Sequence, residues 1–201
     1  MTTTRNLHQI KSEQTRERLL DAALGLMYTK GHGQLSVHEV AKAAGMTAGA
    51  VQHHFASKAV LMLEVISRLI RQLEASSDFW PPPHWSLARR ADHFVQQAWA
   101  LLYGQSRFAV AWSAYLAARE DPLMVAHIVE RRGVLTASLH QRMAQSFPEM
   151  CRGPHAQARV QFVLSALRGM GLVAPFSPAT AVPAQLQVLS HYLQSFESPE
   201  T

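Results

Sequence analysis

Ser36 to Lys58 reads SVHEVAKAAGMTAGAVQHHFASK, two short helical patterns hinged on a glycine. Ser36 and Glu39 stand at capping-box spacing: the serine hydroxyl accepts from an early helix amide while the glutamate reaches back to the serine's own N–H. Val37, Val40, Ala41 and Ala44 then share one side of a helix, and Gly45 suits the backbone reversal that stops it. Thr47 is placed to cap a third helix running to about His54, in which Val51 and Phe55, one turn apart, face inward. Two short helices joined by a tight glycine turn make a helix-turn-helix.

Outward from this stretch the apolar period stays helical, with no convincing two-residue alternation, so the chain reads as all-α. Leu20, Ala23, Leu24 and Met27 predict a first helix from about Ser12 to Lys30, which Gly31 and Gly33 terminate. Ser57 caps a longer fourth helix, whose apolar face runs from Val60 and Leu61 through Val65, Ile66, Leu69 and Ile70 to Leu73. It is predicted to end before Trp80-Pro81-Pro82-Pro83, the clearest boundary in the chain. Beyond lie helical segments at about Leu87 to Tyr103, Arg107 to Arg119, Pro122 to Ser146, Pro154 to Met170 and Ala181 to Phe196. Pro122 and Pro154 suit first helical positions, and Gly169-Met170-Gly171 is read as closing the penultimate helix. The expected organisation is a helix-turn-helix domain over 1–56, a connecting helix over 57–80 and a larger helical domain over 84–201.

Composition excludes several functions. The 201 residues are 48% hydrophobic and 16% charged, with a formal charge of +5, which permits an anionic partner without demanding one. One cysteine, Cys151, cannot form an internal disulfide, and no apolar run approaches the ~20 residues of a membrane span, so a cytoplasmic location and no membrane partner are expected. His53 and His54 raise the question of a metal. Neighbours on a helix diverge by about 100° and cannot chelate together as an i,i+4 pair does, and no His-x-x-x-His occurs. No nucleophile motif, phosphate-cradling loop or paired acid–base set is present either, so no catalytic residue, metal or cofactor is expected.

Arg16 to Ile66 resembles the amino-terminal DNA-binding domain of the tetracycline-repressor (TetR) family. The likeness runs through Ser36-Val37, Val40-Ala41, Ala44-Gly45, Gly49, His54-Phe55 and Ser57-Lys58. The resemblance implies a homodimer whose third helix enters the major groove of duplex DNA, with Thr47, Ala48, Gly49, Gln52 and His53 facing the bases and backbone. Ser36 belongs with these DNA-facing positions, while His54 and Lys58 match positions that touch phosphate in the family. The positive end of the fourth helix supports Lys58. Gln52 departs from the family, where tyrosine is common; an amide there suits adenine rather than phosphate.

In the family the larger domain binds a small molecule and joins the subunits. Phe94, Trp99, Phe108, Trp112, Tyr115, Met124, Ile128 and Phe162 supply bulky surfaces whose convergence would make a cavity for an apolar or aromatic effector, with Tyr115 or His127 orienting it. The same residues also suit ordinary core. Val160, Val163, Leu164 and Leu167 with Leu186, Leu189 and Leu193 fit either monomer core or the dimer seam that the resemblance implies. The expected function is therefore a ligand-responsive repressor of palindromic DNA, set against a DNA-binding dimer without a small-molecule switch and a helical enzyme.

Overall fold

The computed structural model describes residues 2–30, 36–76, 78–106, 108–109, 112, 116, 118–120 and 122–196. Among them no strand occurs, and no helix is long and apolar enough to cross a membrane. The helices are α1 (Thr2–Lys30), α2 (Val37–Ala43), α3 (Ala48–His54), α4 (Lys58–Ala75), α5 (Leu87–Ala98), α6 (Pro122–Ser146), α7 (Ala156–Val173) and α8 (Ala181–Gln194). A π turn, Trp99–Tyr103, prolongs α5, and single 3-10 turns lie at Ala118–Glu120 and Ala174–Phe176. The chain forms two compact units, residues 1–68 with 110–128 and residues 69–109 with 129–201.

In the amino-terminal unit, Leu19, Leu20, Ala23, Leu24 and Met27 of α1 are buried with Val40 and Ala41 of α2, Val51 and Phe55 at α3, and Leu61, Met62, Val65 and Ile66 of α4. Polar chemistry reinforces this core. Arg16 of α1 reaches the buried carboxylate of Glu64 on α4 at 2.9 Å and lies over the Phe55 ring, 5.5 Å from its centre. Arg68 of α4 returns the contact, pairing with Glu17 at 2.7 Å and Asp21 at 2.6 Å. Arg18 donates to the Ala44 carbonyl at 3.1 Å, fastening the end of α2 to α1. The first helix begins at Thr2, earlier than the apolar stripe predicts, because nothing in TTTRNLHQIK breaks a helix. The expected stops Gly31 and Gly33 lie outside the described residues.

The second unit is organised by α5, which packs along α8. Leu87, Ala91, Phe94, Val95 and Ala98 form its buried stripe, and the Phe94 ring meets those of Phe79, Trp80 and Phe147 at 5.6–5.9 Å. Buried Arg90 donates to the carbonyls of Trp85 and Ser146 and grips the Glu149 carboxylate. Ser190 of α8 donates to Asp92 of α5.

Two expected helix boundaries are corrected. Gly169-Met170-Gly171 does not end α7, which continues to Val173. Gly171 has a packing role instead: a Cβ there would overlap the Tyr103 carbonyl oxygen, so the missing side chain lets α7 approach the π turn. Pro154 stands in the turn before α7 rather than at its first position. Most of the expected Arg107 to Arg119 segment lies outside the described residues.

Candidate nucleic-acid interface

The helix-turn-helix is built by local hydrogen bonds. Glu39 N–H donates to Ser36 Oγ at 3.2 Å and Ser36 N–H to Glu39 Oε2 at 3.4 Å, the reciprocal pair that fixes where α2 starts. Gly45 reverses the chain with φ +67°, a left-handed conformation that side chains with a Cβ disfavour. Thr47 Oγ1 then accepts from Ala50 N–H at 3.2 Å and starts α3, and Ser57 Oγ accepts from Val60 N–H at 3.2 Å to start α4.

This geometry sorts the side chains of α3. Val51 and Phe55 are turned into the core. Thr47, Gly49, Gln52 and His53 are exposed, Ala48 and His54 are half-buried, and Ser36 and Lys58 are exposed at the starts of α2 and α4. Ala48, Gly49, Gln52 and His53 fall within a single arc of the helix, opposite Val51, as a 3.6-residue period requires. Small residues at 48 and 49 leave the backbone open to close approach. No acidic residue lies in α3, so its outer face carries no charge that would repel phosphate.

The histidine pair meets ring edge to ring face at 5.3 Å. Partial burial, with the neighbouring His53 and the Arg16 guanidinium, pushes the His54 pKa down; Glu13 opposes this weakly. Among the described residues no group of three or more His, Cys, Asp or Glu side chains is arranged to hold a metal ion.

The expected ligand residues are not brought together. Phe94 sits beside a closed cavity of about 20 Å3, bordered also by Trp80, Tyr103, Leu139 and Leu164. Phe108 packs on Tyr103, with ring centres 5.0 Å apart, whereas half-buried Trp99 folds over Gly104. Trp112 is half-buried, Ile128 joins Ala59 and Leu63 in the amino-terminal unit, and Phe162 is 55% exposed on α7. Tyr115 lies outside the described residues, as do the side chains of Met124 and His127. Ile128 and Phe162 are thus removed from any common cavity with Phe94: one fills another core and the other faces solvent.

The expected seam is corrected too. Val160, Val163, Leu164, Leu167, Leu186, Leu189 and Leu193 are all buried within a single chain, where they leave nothing for a second copy to cover. The apolar side chains that α7 and α8 do leave exposed are Phe162, Val173 and Val188, the last 68% exposed, with half-buried Tyr192 against the Phe162 ring at 5.1 Å. Core and seam have the same helical period, so spacing alone did not separate them. Trp80 and His140, whose ring nitrogens are buried without hydrogen-bond partners, were missed because one adjoins a proline run and the other is a lone histidine in a helix.

Comparison with known proteins places this geometry. The family model described as bacterial regulatory proteins, tetR family, matches residues 19–65. The regulator AcrR of Shigella flexneri is 42% identical over 55 residues, which are 27% of this chain and 26% of AcrR. The match spans about a quarter to a third of the length of the first curated relatives. A transcriptional regulator from Rhodococcus sp. Rha1 has a similar structure at 26% identity, with 90% of this chain and 94% of that one covered and a TM-score of 0.58. The multidrug binding protein EbrR, solved with imidazole, shares the fold at 18% identity, 92% and 97% coverage and a TM-score of 0.57.

Proposed function

Because the chain belongs to the tetR family of bacterial regulatory proteins, we propose that it is a transcriptional repressor that binds palindromic duplex DNA as a homodimer and lets go when a small molecule occupies its second unit. The observation that carries the DNA part is the outward set Thr47, Gly49, Gln52 and His53, presented around buried Val51 on a helix fixed by the Gly45 turn. Phosphates meet Ser36, His54 and Lys58, while Thr47 and Gln52 read thymine methyls and adenine edges. With no Arg or Lys in α3, the commonest guanine contact is missing, and selectivity leans on A·T pairs and on DNA shape.

Two recognition helices reach two half-sites about one helical turn apart only when the subunits are joined. The exposed Phe162, Val188 and Tyr192 surface is our candidate seam. The switch requires an effector that binds the DNA-incompetent arrangement more tightly, since equal affinity for both shifts nothing. EbrR, a multidrug binding protein of this fold, supports an effector role for the second unit.

Selection from random duplex DNA tests the proposal. An enriched palindrome is expected; failure to enrich any sequence would overturn it. A second reading, a DNA-binding dimer with a solid second unit, is favoured by the tightness of the aromatic cavity beside Phe94. A thermal-shift screen separates the two, because a ligand stabilises by about 2.7 kcal/mol at a hundredfold excess over Kd and a solid core shows no such shift.

A further inference from the structure

Away from the aromatic cavity, α6 and α7 border an open groove of about 710 Å3. Its described lining is drawn from Val129, Gly133, Thr136 and His140 of α6 with Ala156 and Gln157 of α7. Several hundred Å3 is the size of a small-molecule site. His140 carries the clue. Both of its ring nitrogens are buried, and neither has a hydrogen-bond partner. Buried polar groups in folded proteins are nearly always paired, and a neutral imidazole needs both an acceptor and a donor. A half-turn about χ2 exchanges each ring nitrogen with a ring carbon and takes no extra space, so the ring can bring a nitrogen round to the groove.

The rest of the lining narrows what would meet it. Thr136 and Gln157 each offer donors and acceptors, and no Lys, Arg, Asp or Glu belongs to the described lining. A charged ligand would shed water there without gaining a counter-charge. An uncharged hydroxyl, by contrast, answers both kinds of partner at once. Val129, Gly133 and Ala156 leave low, apolar walls that suit a flat ring. We propose that this groove binds an uncharged, flat and mainly apolar molecule bearing one hydroxyl, of the phenol or naphthol class, with His140 as its hydrogen-bond anchor. The regulatory meaning of the site rests on the effector reading above; the binding itself does not.

The test uses the full chain labelled with 15N-histidine and two probes, 1-naphthol and naphthalene, which differ by the hydroxyl. The His140 ring signals, assigned by their loss in His140→Leu, move saturably with 1-naphthol. His140→Leu weakens 1-naphthol by about tenfold and leaves naphthalene within about twofold. His140→Gln, which keeps a donor and an acceptor, loses less. Ring signals of the unaltered protein that stay still at saturating 1-naphthol, or equal 1-naphthol affinity in the original chain and His140→Leu, overturn the proposal. Operator release is read separately on the selected palindrome. Saturable binding at His140 without release supports the site and counts against the effector reading alone.

Discussion

Arg90 and Glu149 meet in a two-pronged pair, with Nη2 to Oε1 at 2.7 Å and Nη1 to Oε2 at 3.1 Å, tying α5 to the turn after α6. Arg90 is only 4% exposed, so its charge is held away from water and depends on that carboxylate. The Arg90 hydrogen bonds are the main cause that holds the Glu149 pKa below the usual carboxylate range, against the opposing effect of burial. Arg90→Ala is expected to cost about 3 kcal/mol in urea unfolding, at the low end for a broken buried pair because Glu149 still meets solvent. The pair's contribution is present above the ordinary carboxylate pKa of 4.5 and fades as pH falls through the lowered folded value. An Arg90→Ala chain with unaltered acid sensitivity would place that sensitivity elsewhere.

Thr47 has two tasks that different substitutions separate. Its oxygen already accepts from Ala50 N–H, while its hydroxyl proton and methyl remain for DNA. Thr47→Ala should lose about 1 kcal/mol of cap energy in addition to any DNA contact, whereas Thr47→Ser keeps the cap and loses only the methyl. Gln52→Ala should cost about 1–3 kcal/mol on the selected palindrome and little on random DNA. Equal losses on both would assign Gln52 to the backbone. Lys58→Ala should weaken every duplex and lower the salt slope by about 0.9. Anisotropy titrations at several salt concentrations measure all four variants.

For His54 the signs of folding and binding are opposed. Its folded pKa lies below the unfolded 6.5, so its contribution to folding is complete above that pH and is lost as pH falls through the folded value. A nearby phosphate favours the charged ring, so DNA binding takes up a proton and tightens as pH falls from about 7 to 6. His54→Gln should flatten both responses. If the variant kept the binding response while losing the folding one, His53 would be the proton acceptor.

Two glycines in helices should respond oppositely to alanine. Gly171→Ala drives a methyl into the Tyr103 carbonyl and is expected to cost more than about 3 kcal/mol. Gly25 on α1 has nothing within 4 Å of a built Cβ, so Gly25→Ala should stabilise by about 0.5–1 kcal/mol. Thermal unfolding of the two variants compares them directly, and a stabilised Gly171→Ala would show that α7 can draw back from the π turn.

The seam proposal predicts that Phe162→Asp or Val188→Asp gives a folded monomer that has lost tight palindrome binding. Sedimentation reads the state, and circular dichroism checks the fold. Leu167→Ala, at a buried position, should instead lower stability by about 2–5 kcal/mol and leave association intact. Dimers that survive both aspartates would move the seam to another surface.

How legible these features were in the sequence depended on the range of the forces involved. Ser36, Gly45, Thr47 and Ser57 act on amides three residues away or on their own φ, so α2, α3 and the start of α4 can be read from a few letters. The roles of Ile128, Phe162 and Leu167 depend on which distant helix lies opposite. A helical period reports that a face is apolar and says nothing about what covers it, so core, cavity and seam were merged. The aromatic residues looked like one set because they share a chemistry, whereas packing divides them between two units and the solvent.

The π turn in α5 bears on how this chain tolerates changes in length. Gly104 N–H donates to the Trp99 carbonyl at 2.9 Å, five residues back, so one more residue is held here than an α-helical turn would take. Such a bulge is a single-residue insertion absorbed without a loop. Deleting one residue between 99 and 103 would therefore return the segment to plain α-helix with the flanking faces still in phase, and would relieve the crowding that now reserves position 104 for glycine beneath the Trp99 ring. A one-letter gap at this point between related chains would mark a change in the winding of the helix and leave the architecture as it is.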